Sequence, residues 1–342
     1  MSQEYLNRVD EYSKVEDAEL FPPYPLRGLH IELSNVCNHQ CIFCANRKMT
    51  RKKGFMDEKL LQRLLDEAYE EGFREVGFYL NGEPFLSKNL YTYVKWAKQK
   101  GYTYVYLDSN GGATQFELIK EVLDAGLDSI KYSINGTNRE NYQFIHGRDD
   151  FEQVLDNLKK TYQYKKEKNS SLHVYVSIAV TKYIEDSLDH FVKQIENDCD
   201  EVLINDVIEM GGYMTEELPR IRPTEKLHDL SMSIPCYMLW NGLYITYEGY
   251  ATACCADYQN YLVYADLNKT TIKDAWHNEL ITELRRKHVD GNIKGLPCYT
   301  CVQGKKSAWA PMMPECASTI CSAELTMIDL LERESAYGKT NE

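Results

Sequence analysis

Asn35-Val36-Cys37-Asn38-His39-Gln40-Cys41-Ile42-Phe43-Cys44 decides how the rest of this chain reads. Three cysteines fall at C-x3-C-x2-C, directly after a short apolar segment, Leu29-His30-Ile31-Glu32-Leu33. Thiolates are soft ligands suited to zinc or iron–sulfur chemistry, and a loop this short can bring three of them together. A closed site takes four ligands. A cubane held here would leave one iron open, and an open metal position is where a substrate binds. A zinc loop or unconnected thiols are the alternatives.

Outward from that loop, strand-like and helix-like segments alternate. Strands are expected at Leu29–Leu33, Glu75–Leu80, Thr103–Leu107, Ser129–Ile134, His173–Val180 and Glu201–Ile208. Helices are expected at Asp57–Glu71, Lys88–Lys100, Gln115–Ala125, Phe151–Lys168 and Asp186–Asn197, with Asp57 and Ser87 as N-caps and Gly101 and Gly126 as stops. Such alternation predicts βαβ units and a parallel sheet. Right-handed crossovers curl six such units into a partial barrel, whose chemistry belongs on loops at the carboxyl ends of the strands. The cysteine loop follows the first strand, Asn81-Gly82-Glu83-Pro84 the second, and Ser109-Asn110-Gly111-Gly112 the third, while Ser133-Ile134-Asn135-Gly136 ends the fourth.

Composition narrows the function classes. The chain has 342 residues and a net charge of −13, spread without a block of like charge. That argues against nucleic acid as a partner, which needs basic patches. Eleven cysteines are too sparse for a disulfide scaffold, and an odd number in two tight groups suits metal ligation. The start, Met1-Ser2-Gln3-Glu4-Tyr5-Leu6, lacks the features of a signal peptide, and no apolar run approaches a membrane span. A reducing cytoplasm is the expected compartment, and no membrane association is expected.

The domain plan has five parts. Residues 1–28 form a lead-in containing Phe21-Pro22-Pro23-Tyr24-Pro25, and 29–210 the α/β barrel. Residues 211–235 form a linker opening at Gly211-Gly212, 236–325 a small cysteine-rich domain, and 326–342 a C-terminal tail. The cysteine-rich part holds seven of the eleven cysteines, a strand-like Leu243-Tyr244-Ile245-Thr246 and one helix, Thr271–Lys287.

At its cysteine loop the chain resembles the radical S-adenosylmethionine (SAM) superfamily, whose signature C-x3-C-x-aromatic-C ends the first barrel strand. Phe43 supplies the aromatic residue. The resemblance implies a partial (β/α)6 TIM-like barrel in which Cys37, Cys41 and Cys44 hold a [4Fe–4S] cluster. SAM chelates the fourth iron and is cleaved to a 5′-deoxyadenosyl radical, with a reductant such as flavodoxin or ferredoxin as partner. Gly82-Glu83-Pro84 resembles the family's GEP segment, so a Glu83 carboxylate would accept from the SAM ammonium, a strong charge-assisted bond. Gly82 allows close backbone approach and Pro84 fixes the turn. By the same resemblance Ser109, Asn110 and Ser133 contact the ribose or the methionine carboxylate, although such residues also simply form turns. Asn135 stands where many relatives carry Asp. Arg148 reads as a solvated surface cation.

Further on, Cys236, twelve residues, Gly249, four residues and Cys254-Cys255, then Cys298-Tyr299-Thr300-Cys301, resemble the SPASM/Twitch extension of radical SAM enzymes. The Trp276 helix, Arg285 and His288-Val289-Asp290-Gly291 match as well. Ser307 stands where a full SPASM domain has its next cysteine, so the match is to the shorter Twitch form. Its single auxiliary [4Fe–4S] cluster would be held by Cys236, Cys254, Cys298 and Cys301. A four-cysteine zinc site is the alternative. Cys255 is a spare ligand or a thiol facing the active site. Cys316 and Cys321 join an incomplete second cluster or are inert, and Cys199 is incidental packing.

The expected reaction is hydrogen abstraction from a small carbohydrate-like substrate, giving oxidation or epimerisation, since the spacing of the auxiliary cysteines resembles that of the aminocyclitol (2-deoxy-scyllo-inosamine) dehydrogenases. In an epimerisation Cys255 is the candidate hydrogen donor, although alternation along a strand would aim it away from Cys254. The runner-up is a maturase of a ribosomally made peptide, for which the 36 residues ahead of Cys37 leave no room for a leader-binding winged-helix domain. From another class, an iron–sulfur electron carrier or zinc scaffold would need neither Glu83 nor an open iron.

Overall fold

The computed structural model describes Tyr24 and residues 28–224, 234–319 and 323–340. Six parallel strands appear where the alternating pattern puts them: β1 Gly28–Ile31, β2 Glu75–Gly77, β3 Tyr104–Ser109, β4 Ser129–Ser133, β5 His173–Val180 and β6 Glu201–Asp206. Between them run α1 Glu58–Glu70, α2 Leu90–Lys100, α3 Phe116–Asp124, α4 Arg139–His146, α5 Phe151–Lys168 and α6 Leu188–Ile195. The strands follow one another in the sheet, and the result is an α/β partial (β/α)6 barrel.

The outer face of these strands carries the apolar residues. In β3 and β5 the residues alternate, so Val105, Leu107, Val174, Val176 and Ile178 are buried in the core beneath the helices. Leu61, Leu64, Leu65 and Ala68 of α1, at helical spacing, fill the same core. Tyr104, Tyr106 and Asp108 alternate with the buried set and face the other way, as does Lys131 of β4.

Asp57 caps α1, accepting from Leu60 N, and Gly101 ends α2 in the left-handed conformation. Ser87 is not a helix N-cap: it closes a short 3-10 turn, and α2 begins after Asn89. The helix read over Thr271–Lys287 is two, α9 Ile272–Trp276 and α10 Glu279–Val289, because Asn278 breaks the run and caps the second through Ile281 N. Helix α4 was not expected; Asn138 and Asn141 cap it reciprocally.

After β6 the chain forms α7 Leu218–Ile221 and α8 Met238–Asn241, followed by β7 Gly242–Ile245, β8 Tyr250–Thr252 and β9 Val263–Asp266. These last strands continue the barrel's own sheet, in the order β6-β5-β4-β3-β2-β1-β7-β8-β9. Strand β7 runs parallel to β1, pairing His30 with Tyr244, whereas β8 and β9 are antiparallel. Short α11, Pro297–Gln303, carries Cys298 and Cys301. The stretch read as a C-terminal tail lies, as far as residue 340, in α12, Ala323–Thr340, which buries Leu330 and packs Tyr337 against Phe144 and edge-on to Tyr183. Of the stretch read as a linker, Tyr213, Met214, Leu218 and Ile221 are buried.

A buried ion cluster ties the barrel to these added strands. Arg51 donates through Nη2 to Glu32 Oε2 at 2.6 Å and through Nε to Glu248 Oε1 at 3.0 Å, and Tyr247 N also donates to Glu32 Oε2. Burial opposes the Arg51 charge, but the two carboxylates more than offset it and raise its pKa. Replacing Arg51 by Met would strand Glu32 without its cation. Urea unfolding under anaerobic conditions is expected to show a loss of about 3–5 kcal/mol.

Candidate cluster and SAM site

The cysteine loop is shaped by its own backbone. Cys44 N donates to Cys41 O at 3.0 Å, and Cys44 then caps a 3-10 turn, Ala45–Lys48, with its sulfur accepting from Asn46 N at 3.5 Å. His39 N donates to Cys37 Sγ at 3.4 Å. Helix α4 anchors the loop from outside, since Gln40 N and Ile42 N donate to His146 O and Ile145 O. Phe43 is buried in the main core, so the aromatic residue of the motif packs the loop down.

Burial raises the thiol pKa of all three cysteines, Cys37 to about 12. For Cys41 the charges of Cys44 and Cys37 come next, so the three sulfurs lie close enough to oppose one another's ionisation. A bound cation inverts this, because a coordinating thiol is deprotonated outright. Three converging soft donors fit a [4Fe–4S] cluster with one open iron.

The GEP turn is built against this loop. A Cβ on Gly82 would lie 2.1 Å from Ser34 O and 2.8 Å from Val36 O, so only glycine fits. Glu83 N donates to Val36 O at 2.8 Å. The Glu83 carboxylate is buried and accepts from Ser109 Oγ at 2.8 Å, Asn110 N at 2.8 Å and Phe85 N at 3.1 Å. Burial raises its pKa while these donors pull the other way. Asn110 Nδ2 reaches Asn38 Oδ1 at 2.8 Å and approaches Cys37 Sγ at 3.8 Å. Glu83, Ser109 and Asn110 therefore meet beside Cys37. Ser133 ends β4, one residue beyond the Ser109–Tyr132 pair and in register with Ser177.

The second set of cysteines also converges. Burial leads in raising Cys236 and Cys301, each to about 12, and Cys298. Cys254 and Cys301 then add to Cys236, Cys254 adds to Cys301, and Cys254, Cys236 and Cys301 all add to Cys298. Four mutually repelling thiols suit a fully ligated cluster or a zinc ion. Cys316 feels Glu315 and Asp266 rather than this set, and Cys199 Sγ lies 3.4 Å from Ile195 O. Cys321 lies outside the described residues. Ser307, in place of a cysteine, has a buried Oγ with no partner among the described residues.

Cys255 departs from the strand argument. Strand β8 ends at Thr252, so Cys254 and Cys255 sit on a turn, and their sulfurs hydrogen-bond to each other. The Cys255 charge reaches Tyr79 and Tyr244, and Lys131 acts on Cys255. These belong to a polar face that sequence reasoning missed. His30 stacks on Tyr244 at 4.8 Å and takes a 3.3 Å contact from Tyr106 OH, while Lys131 pairs with Asp108 at 2.7 Å. Burial, then Lys131, lowers the His30 pKa to about 3, so it is neutral. Period-two alternation in β3 and β4 was the available signal.

Two other groups had no sequence signal. Buried Tyr258 places its OH 3.8 Å from Cys44 Sγ and is also within reach of the Cys254 and Cys255 charges, between the two cysteine sets. His39, His146 and Asp150 form a linked group beside Cys41. Burial, then His39, holds His146 well below its ordinary pKa. Arg148 is mostly exposed and lies 3.5 Å from Asp150.

Known proteins share the domains and the fold. The family model for the radical SAM superfamily matches residues 31–195, and that for an iron–sulfur cluster-binding domain, SPASM, matches residues 236–302. An uncharacterized protein of Methanocaldococcus jannaschii is 32% identical over 180 residues, covering 52% of this chain and 56% of that one. The chain spans about half the length of the curated relatives it matches. In structure it is similar to BtrN in complex with AdoMet and 2-DOIA, with a TM-score of 0.55, 18% identity and coverage of 86% and 98% of the two chains. It is also similar to Streptococcus suis SuiB bound to precursor peptide SuiA, with a TM-score of 0.60, 15% identity and coverage of 92% and 79%. Identities this low carry the fold alone. The two matched domains bring SAM, the [4Fe–4S] cluster that binds it and an auxiliary cluster as cofactors. Among the described residues no helix is long and apolar enough to cross a membrane. With both domains matched in order on one continuous sheet, the chain belongs to the radical SAM superfamily and carries a SPASM/Twitch-type iron–sulfur domain.

Proposed function

We propose that this enzyme dehydrogenates a small, hydroxylated, carbohydrate-like or aminocyclitol substrate. The observation that carries the reading is the second cysteine set: four thiols from Cys236, Cys254, Cys298 and Cys301 leave no open ligand position, which suits electron acceptance rather than substrate chelation. When bound, SAM and its cluster supply the radical that removes a substrate hydrogen. Cys37, Cys41 and Cys44 hold that cluster. Glu83 orients the SAM ammonium and, through Ser109 and Asn110, keeps two loops in register. The polar face of His30, Tyr79, Tyr106, Asp108 and Lys131 supports a substrate rich in hydroxyl or amino groups, because each offers a hydrogen-bonding group there.

Epimerisation is the second reading, favoured by the Cys254–Cys255 hydrogen bond. As an iron ligand Cys254 is a thiolate, so the shared proton rests on Cys255, the thiol that lies beside the polar face. Peptide modification remains the runner-up substrate class, and flavodoxin or ferredoxin the proposed reductant.

Anaerobic reconstitution is expected to give about eight irons per chain, and replacing Cys37, Cys41 and Cys44 by Ala to leave about half. Stoichiometric zinc with little iron would overturn both ligand sets.

Glu83→Gln places an amide NH2 against donors that need an acceptor. SAM affinity, read by equilibrium binding to the reconstituted protein, is expected to fall by roughly 1.5–3 kcal/mol with both clusters retained.

Turnover of an aminocyclitol panel in D2O separates the reactions. Oxidation gives a carbonyl product with no deuterium at carbon. Deuterium at an inverted carbon, lost in Cys255→Ala, would establish epimerisation instead.

A further inference from the structure

Cys41 has a neighbour that the iron ligands do not need. His146 closes α4 and is buried, with Tyr142 stacked on its ring at 4.0 Å and 14°. Asn135 N lies 3.1 Å from His146 Nε2. A backbone amide only donates, so Nε2 is a lone pair and the neutral ring carries its proton on Nδ1. That Nδ1 faces Cys41 Sγ at 3.6 Å and His39 Nδ1 at 3.1 Å. His39 Nε2 lies 2.9 Å from Asp150 Oδ2, and a carboxylate accepts, so the His39 proton is on Nε2 and its Nδ1 is free to accept. One set of tautomers satisfies every contact. The His146 N–H is shared between the Cys41 sulfur and His39.

His39, Cys41 and His146 also have the spacing of a mononuclear metal site, their ligand atoms all lying within 4.8 Å of one another. Asn135 argues against that use. A metal on His146 Nδ1 requires the proton on Nε2, and a metal-bound histidine normally donates that proton to an acceptor. Here a donor faces it. The ring is set to give a proton at Nδ1, not to take a metal there.

We propose that His146 is a positioning residue that donates an Nδ1–H···Sγ hydrogen bond to Cys41 and thereby favours the reduced state of the SAM-binding cluster. Hydrogen bonds to cluster sulfurs are one of the controls on reduction potential, since they stabilise added negative charge. Asn135 sets the tautomer, Tyr142 the ring plane, and His39 with Asp150 the second acceptor. The inference rests on the reading of Cys41 as an iron ligand.

The test is an anaerobic redox titration of the reconstituted full chain with SAM present, followed by EPR. The signal that changes on adding SAM identifies the SAM-binding cluster apart from the auxiliary one. In His146→Leu the reduced-to-oxidised ratio of that cluster, at the wild-type midpoint, is expected to fall roughly threefold or more, while the auxiliary midpoint stays put. His146→Asn, whose Nδ2–H sits near the Nδ1 position, should restore much of the ratio. A wild-type midpoint in the leucine variant overturns the proposal. If that variant holds no iron, His39→Phe decides. Removing the competing acceptor sends the whole N–H to Cys41 and raises the ratio, whereas no change or a fall overturns the proposal. A wild-type sample with iron but no SAM-sensitive signal would instead refute the ligand assignment.

Discussion

Glu83 N–H donates to Val36 O across a contact too tight for any side chain at Gly82. That backbone-to-backbone approach joins the loop after β2 to the start of the cysteine loop. From the joint, the Glu83 carboxylate reaches into the β3 loop through Ser109 and Asn110 N. Asn110 turns back to Asn38 and Cys37. Three loops that leave three different strands thus share one set of donors and acceptors. A buried carboxylate is expensive unless it is hydrogen-bonded, and here three donors meet it. The same geometry that makes Glu83 tolerable makes the loops rigid.

The cysteines pose the opposite problem. Each set gathers buried thiols whose charges oppose one another, so neither gains from convergence in the protein alone. A bound cluster would supply the missing cations and, because such a site does not exist in the unfolded chain, its binding free energy would add to folding. Tyr258 shows how close the two sets come in this fold. Its hydroxyl approaches Cys44, and its ionisation is opposed by Cys44, Cys255 and Cys254 after burial itself.

Sheet continuity explains why the second set is held in a fixed relation to the first. Strand β7 pairs with the free edge of β1, the strand that delivers the cysteine loop. The Arg51 cluster locks that seam, joining Glu32 just after β1 to Glu248 in the turn between β7 and β8. The C-terminal part is therefore an extension of the barrel sheet. Arg333 of α12 closes the other side, donating to Gln40 O within the cysteine loop.

Local pattern carried most of the barrel. Strand and helix periodicity depends on neighbours two to four residues away, so β1 to β6 and their long helices could be read to within a few residues. The C-x3-C-x2-C loop and Gly82-Glu83-Pro84 were legible for the same reason, since their spacing is short and each residue type has few uses. Helix α4 was missed because it is a second helix between β4 and β5, where α5 alone already met the alternating pattern, and the break at Asn278 because a capping residue sat inside a helical pattern. The direction of Cys255 depended on where β8 ends. What only tertiary structure decided are meetings across long stretches of chain: Glu83 with Ser109 and Asn110, Arg51 with Glu248, Tyr258 with Cys44, and His39 with His146. No sequence period encodes such meetings, because strand order and loop packing, rather than residue spacing, bring those side chains within hydrogen-bonding distance.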